Sequence, residues 1–263
     1  MFGDAEAYER FMGRWSRMLA PLLVDFAGLR DAGHVLDVGS GTGALAFSIA
    51  EQKVHCQVVG IDPSEEYVHY ANGRNPFSAR VKYQVGDAQS LAFPDAMFDH
   101  SLSLLVFNFI PDRQKALREV RRVTKPGGCV SAAVWDYGAG MRMLRAFWDA
   151  VVAVDPAAAK LDESRMPLCR AGELGEFWKQ NGFERVEERP LDIVMRFESV
   201  ADCWDAFLLG QGPAGAYVRN ADEGRRQAIR EDVKHRLALV SEDTPFSLAA
   251  RAWAVRGAVP VRG

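Results

Sequence analysis

The sequence predicts an α/β fold, a mostly parallel, doubly wound sheet covered by helices on both faces, and three observations carry that prediction. Short apolar runs alternate with charged, helix-periodic segments through the first half of the 263 residues. The runs are continuously apolar, the pattern of strands buried on both faces. Between the first run and the helical segment that follows it, Gly39, Gly41 and Gly43 stand at alternate positions, where period two gives way to period 3.6.

Taken in order, a helix is predicted over roughly Ala5 to Ala27, with Phe11, Trp15, Met18, Leu19 and Leu22 near helical spacing. Strands follow at His34 to Val38, Cys56 to Ile61, Val81 to Val85, His100 to Val106 and Cys129 to Trp135. The rhythm then changes. Met141 to Val154 reads as an amphipathic helix, and Asp155-Pro156 through Pro167 as an irregular, lid-like connection. Ala171 to Gln180 is helical up to the stop at Asn181-Gly182, and Phe183 to Phe197 is strand-like. Two helical stretches, Val200 to Leu209 and Ala221 to Val240, are separated by Gln211-Gly-Pro-Ala-Gly215, and Ser247 to Val259 returns as the last strand.

Composition narrows the function. A net charge of −3 with both signs interspersed leaves no basic stripe, so no nucleic-acid partner is expected. Cys56, Cys129, Cys169 and Cys203 are scattered with no CxxC pair, which predicts reduced thiols and no metal site. The first residues are mixed and charged, and no run is long enough to span a bilayer, so a cytoplasmic protein without membrane insertion is expected.

The glycine turn marks a ligand site, because three glycines suit neither a strand nor a helix interior but do allow positive φ and close approach to bare backbone. Asp62 ends the second apolar run about 20 residues further on, the spacing at which a carboxylate meets the ribose of a bound nucleoside. Gly39-x-Gly41-x-x-Ala44 also satisfies the dinucleotide pattern GxGxxG/A.

Asp37 with Gly39, Gly41 and Gly43 resembles motif I of the class I S-adenosylmethionine-dependent methyltransferases. Three further segments are similar to that family in order: Gly86-Asp-Ala-Gln-Ser-Leu-Ala-Phe-Pro94, Phe98-Asp-His100 into Ser101 to Asp112, and Arg121-Arg-Val-Thr-Lys-Pro-Gly-Gly128. The likeness extends to the small-molecule branch that holds the ubiquinone and menaquinone C-methyltransferases. It implies a Rossmann-like sheet of seven strands with the last one antiparallel, an N-terminal cap over residues 1–30, a cofactor-binding core over 31–138, and a remainder over 139–263 carrying an inserted helical substrate cap. The implied cofactor is S-adenosylmethionine, with S-adenosylhomocysteine as product.

On that resemblance the cofactor-side residues are Asp37, Gly39, Ser40, Gly41, Thr42, Gly43, Asp62, Pro63, Asp87 and Ala88. From the first helix come Tyr8 and Trp15 as walls and Arg14 as partner of the methionine carboxylate. Asn108, Phe109, Trp135, Asp136 and Tyr137 follow strands four and five and are the acceptor-side candidates. The five histidines read as structural. In-line displacement at a sulfonium leaves a neutral sulfur, so positioning supplies much of the rate and no catalytic residue is obligatory. A nicotinamide-dependent oxidoreductase on the same glycine turn, and an S-adenosylmethionine-binding protein without activity, remain as alternatives.

Overall fold

The computed structural model describes residues 4–261. Five parallel strands, β1 (Gly33–Val38), β2 (Cys56–Asp62), β3 (Val81–Val85), β4 (Phe98–Leu104) and β5 (Thr124–Trp135), form one side of a sheet completed by β6 (Glu184–Phe197) and β7 (Phe246–Ala258). The order is β3-β2-β1-β4-β5-β7-β6, and β7 runs antiparallel to both neighbours. The chain leaves β1 for β2 and β3 on one side and returns to β4 on the other. That reversal opens a crevice beyond the carboxyl ends of β1 and β4, where ligands of doubly wound sheets bind.

The central strands are apolar because both faces are covered. Val35, Leu36 and Val38 of β1, Val58 and Ile61 of β2, and Val130, Ala132 and Val134 of β5 are all buried. Several helices start where a short polar side chain satisfies a free amide. Ser64 accepts from the Tyr67 N–H to open α4 (Glu65–Gly73), and Asp112 accepts from Lys115 to open α5 (Arg113–Val123). In α5 the buried set Ala116, Leu117, Val120 and Val123 forms one stripe against the sheet, while the arginines face outward. The other crossover helix of this half is α3 (Ala44–Gln52).

Several elements depart from the pattern read in the sequence. The first helix is interrupted: α1 (Ala5–Tyr8) and α2 (Arg14–Ala27) are joined by a π-helical turn over Glu9–Gly13, which shifts the phase of the side chains that follow. Strand β4 stops at Leu104 rather than Val106, because Leu105 takes a left-handed backbone (φ 65°) and turns the chain into a 3-10 turn at Phe107–Phe109. The connection after α6 (Arg142–Val154) is two 3-10 turns, Pro156–Leu161 and Glu163–Arg165, opened by Asp155 and Asp162.

Gln211 to Gly215 does not separate helices but begins one. Helix α9 (Gly212–Asn220) holds its proline in the first turn, where the missing N–H needs no partner. It lies between α8 (Val200–Leu208) and α10 (Glu223–Arg236), and α7 (Glu173–Gln180) precedes β6. All four cysteines are free. Among the described residues no helix is long and apolar enough to cross a membrane.

Candidate functional site

The glycine turn after β1 is built by backbone geometry and closed by a neighbouring strand. Gly39, Gly41 and Gly43 have φ of 71°, 50° and 99°, values that L side chains rarely adopt. A Cβ on Gly39 would fall 2.5 Å from the Val106 side chain, whereas one on Gly41 would meet nothing within 4 Å. The Ser40 N–H donates to the Ile61 carbonyl at 2.8 Å, stitching the turn to β2. Asp62, at the tip of β2, accepts the Gly41 N–H on Oδ2 and the Ser64 N–H on Oδ1, each at 2.9 Å.

Above this turn lies a cavity of about 500 Å³, within the range of small-molecule sites. Its walls come from the segments that follow β1 to β5, in keeping with the crevice at the switch point. Tyr8, Phe11, Met12 and Ser16 of the N-terminal helical segment close one side, and Glu163 enters from the connection after α6. The lining contains Asp37, Asp62, Asp87 and Glu163 but no lysine, arginine or histidine.

Burial sets the electrostatics. Asp37 is inaccessible to solvent, and neither carboxylate oxygen has a partner in hydrogen-bonding geometry. Burial pushes its carboxyl up to about 8; the backbone of Ala46 at the start of α3 opposes the shift and the charge of Asp62 adds to it. Burial also raises Asp62 against the pull of the Ser64 and Gly41 amides. Glu163 is driven up to about 7 by burial, although the Trp148 indole N–H donates to its Oε2 at 2.8 Å. The Tyr137 hydroxyl is held well above its ordinary value by burial, with the charge of Glu163 next in weight, so it stays protonated.

Four lining residues carry buried polar atoms without partners among the described residues: both Asp37 oxygens, Ser40 Oγ, the Tyr67 hydroxyl and Trp135 Nε1. Unsatisfied buried polar atoms cost about 1–3 kcal/mol each. Gathered around one cavity, they mark a surface made to bind a polar ligand.

Of the residues singled out in the sequence, Tyr8, Asp37, Gly39, Ser40, Gly41, Thr42, Asp62, Pro63, Asp87, Ala88, Phe109, Trp135 and Tyr137 lie together in this wall. Five do not. Arg14 is directed elsewhere, which corrects its expected carboxylate pairing: Nη1 donates to both oxygens of Asp202 at 3.0 and 3.1 Å. Its guanidinium lies over the rings of Trp15, 4.2 Å from the centroid, and Phe197, at 5.0 Å. The phase set by the π turn gives Tyr8, Phe11, Met12 and Ser16 to the cavity and leaves Arg14 and Trp15 facing α8 and β6.

Asn108 is buried behind the wall, its amide nitrogen 3.5 Å from Met166 Sδ and its side chain within hydrogen-bonding reach of Tyr137. Asp136 closes a turn by accepting the Ala139 N–H at 3.0 Å, and Gly43 serves as the N-cap of α3. None of the five histidines lines the cavity; His100 is buried in β4 and His55 is paired to Asp31. No group of acidic, cysteine or histidine residues suited to a metal occurs among the described residues.

Sequence reasoning missed Glu163, Tyr67 and Glu9. Glu9 sits in the π turn and takes the Thr42 hydroxyl, tying the N-terminal segment to the glycine turn, and also pairs with Arg17. Gly13 makes room for it, since a Cβ there would fall 2.5 Å from Glu9 Oε1. Nothing in the local pattern foretold a π turn. Tyr67 lay within reach of inference, one turn into the helix that Asp62 and Ser64 open.

Comparisons with known proteins bear on the domain family and the fold. Residues 36–132 match the family described as Methyltransferase domain. An uncharacterized protein of Mycobacterium tuberculosis is 32% identical over 146 residues, covering 54% of this chain and 53% of that protein. The ubiquinone/menaquinone biosynthesis C-methyltransferase of Geobacter sulfurreducens is 34% identical over 102 residues, 37% of this chain and 40% of that one. The chain thus spans about half the length, or less, of these curated relatives. Among solved structures, a Haemonchus contortus phosphoethanolamine N-methyltransferase, bound to phosphomonomethylethanolamine and S-adenosylhomocysteine, superposes with a TM-score of 0.62 at 20% identity. That match covers 98% of this chain and 57% of that one.

Proposed function

We propose that this chain, whose residues 36–132 form a methyltransferase domain of the class I S-adenosylmethionine-dependent kind, transfers the methyl group of S-adenosylmethionine to a small, partly apolar acceptor. The observation that carries the reading is Asp37. A buried carboxylate approached only by the Ala46 backbone, in a wall that also holds Asp62 and, among the described residues, no cationic side chain, calls for a ligand bearing positive charge and donor groups. An amino-acid ammonium, a sulfonium and ribose hydroxyls answer that demand. The pyrophosphate of a dinucleotide would bring two negative charges into the same acidic wall.

Asp37 receives the ammonium, and Asp62 accepts from the ribose hydroxyls while holding the turn through Gly41. Asp87 and Ala88 stand beside the base, and the bare glycines let the backbone come close. When bound, the cofactor supplies an electrophilic methyl group whose leaving sulfur becomes neutral. The protein's part is then to align the acceptor and exclude water. Leu105, Phe109 and Trp135, at and beyond the carboxyl ends of β4 and β5, make an apolar frame for that acceptor, with the neutral Tyr137 hydroxyl as a polar point within it.

Among the described residues, 4–30 are the closing cap, 31–138 the cofactor core, and 139–261 the remainder with the acceptor cap. A small apolar ring suits this frame; the Geobacter relative is named as a C-methyltransferase of ubiquinone/menaquinone biosynthesis. Calorimetric titration with S-adenosylhomocysteine tests the reading: saturable one-site binding is expected, and absence of binding overturns it.

A further inference from the structure

The acceptor side of the cavity contains one ionisable group that no motif foretold. Glu163 is 4% exposed and lies in the short 3-10 turn Glu163–Arg165 of the connection after α6. Its Oε2 is occupied by the Trp148 N–H at 2.8 Å, and no hydrogen bond among the described residues engages Oε1. The residue before it is clamped: Asp162 accepts from Arg145 at 2.7 and 3.0 Å and from the Ser164 N–H at 2.8 Å. Arg145 is in turn shared with Asp149. That ion pair fixes the backbone of the turn and engages Arg145, the cation whose charge acts on Glu163. A buried carboxylate with one oxygen tethered, in a wall without lysine, arginine or histidine, is a directed hydrogen-bond acceptor.

We propose that Glu163 recognises the methyl acceptor, taking a hydrogen bond and then the proton from a neutral hydroxyl group, and that it excludes acceptors bearing a carboxylate or phosphate. The inference rests on the methyl-transfer reading above. In the step it serves, a lone pair of the acceptor oxygen forms the bond to the methyl carbon. The carbon–sulfur pair stays with sulfur, discharging its positive charge, and the hydroxyl proton passes to Glu163 Oε1. A base titrating near neutrality is matched to that transfer, and burial brings Glu163 to about 7. The groups acting on it are Trp148 through its hydrogen bond and Asp162 and Arg145 through charge, while the charge of Glu163 in turn helps hold Tyr137 protonated. An anionic acceptor meets Glu163 with no cationic side chain of the described residues in the wall, an arrangement that disfavours it against a neutral one.

Two probes of equal size, 4-propylphenol and 4-propylbenzoate, test this by calorimetry on the whole protein saturated with S-adenosylhomocysteine, buffered above the Glu163 titration. Wild type is expected to bind the phenol at least about tenfold more tightly than the benzoate, a difference of about 1.4 kcal/mol. In Glu163→Gln the amide oxygen keeps the Trp148 N–H and the NH₂ faces the cavity, so the order reverses. In Glu163→Leu, which removes donor and acceptor alike, the preference collapses to within about threefold. An unchanged order in both variants, or no binding of either probe to wild type, overturns the assignment. Binding of S-adenosylhomocysteine to wild type, measured beforehand, reports separately on the methyl-transfer reading, and its retention in the variants shows that they are folded.

Discussion

The Asp62 carboxylate holds the Gly41 amide at 2.9 Å, joining the tip of β2 to the turn after β1 across 21 positions of sequence. One side chain therefore shapes the glycine turn and presents its other lone pairs to the cavity. Replacing it with alanine frees the Gly41 and Ser64 amides and removes an acceptor from the ligand. Asp62→Ala is expected to weaken S-adenosylhomocysteine binding by about 1.5–3 kcal/mol, the scale of hydrogen bonds to a charged group. Calorimetry reads this directly, and unchanged affinity would remove Asp62 from the ribose role.

Two glycines of the same turn are expected to fail in different ways. Gly39→Ala drives a Cβ into Val106 at 2.5 Å on a backbone of φ 71°, so the loss appears in folding, as a melting temperature lowered by several degrees. Gly41→Ala places its Cβ in open space at the cavity wall and carries only the left-handed strain of about 1–2 kcal/mol. Its main loss is ligand affinity, about tenfold or more. Thermal melts and titrations of both variants separate the two effects; equal affinity losses at equal stability would contradict the geometry.

Asp37 makes stability and binding oppose each other. Its folded value of about 8 lies above the ordinary 3.8, so between those values the folded protein retains a proton that the unfolded chain has released. Its contribution to stability accordingly falls as pH rises from about 4 to about 8 and is level beyond. Asp37→Asn removes the penalty and is expected to raise the melting temperature near pH 8 while weakening S-adenosylhomocysteine binding. Because a ligand ammonium favours the ionised carboxylate, binding below pH 8 releases protons. Titrations in buffers of different ionisation enthalpy detect this release, and its absence would separate Asp37 from the ammonium.

Arg14 is expected to matter for the cap alone. Its pairing with Asp202 is about 28% exposed on either side, so Arg14→Ala should lower stability by only about 0.5–1.5 kcal/mol, including lost stacking on Trp15 and Phe197. Affinity for S-adenosylhomocysteine should stay within about twofold of wild type. A tenfold loss would return Arg14 to the ligand site.

The parts of the fold read correctly in the sequence are those whose signal is local. The bounds Val81–Val85 of β3 coincide with the strand read there, and β1 ends at Val38 and β2 at Asp62, where the glycine turn and the carboxylate spacing place them. What escaped depends on phase or on distant partners. A single π turn at Glu9–Gly13 moves Arg14 off the cavity, and no residue pattern announces such a turn. Glu163 sits in a polar stretch that reads as surface; its burial is made by Trp148, 15 positions earlier, and by the fold of the whole connection. The Gly212-Pro213 pair reads as a breaker, yet a proline is compatible with the first turn of a helix, and α9 starts there.

The central claim is that an acidic, cation-free cavity over the glycine turn takes a sulfonium nucleoside and not a dinucleotide. Parallel titrations of the same protein with S-adenosylhomocysteine and with NADH test it most directly. One saturable site for S-adenosylhomocysteine, weakened in Asp62→Ala, with no detectable NADH binding, is the predicted result; NADH binding without S-adenosylhomocysteine binding would contradict the account.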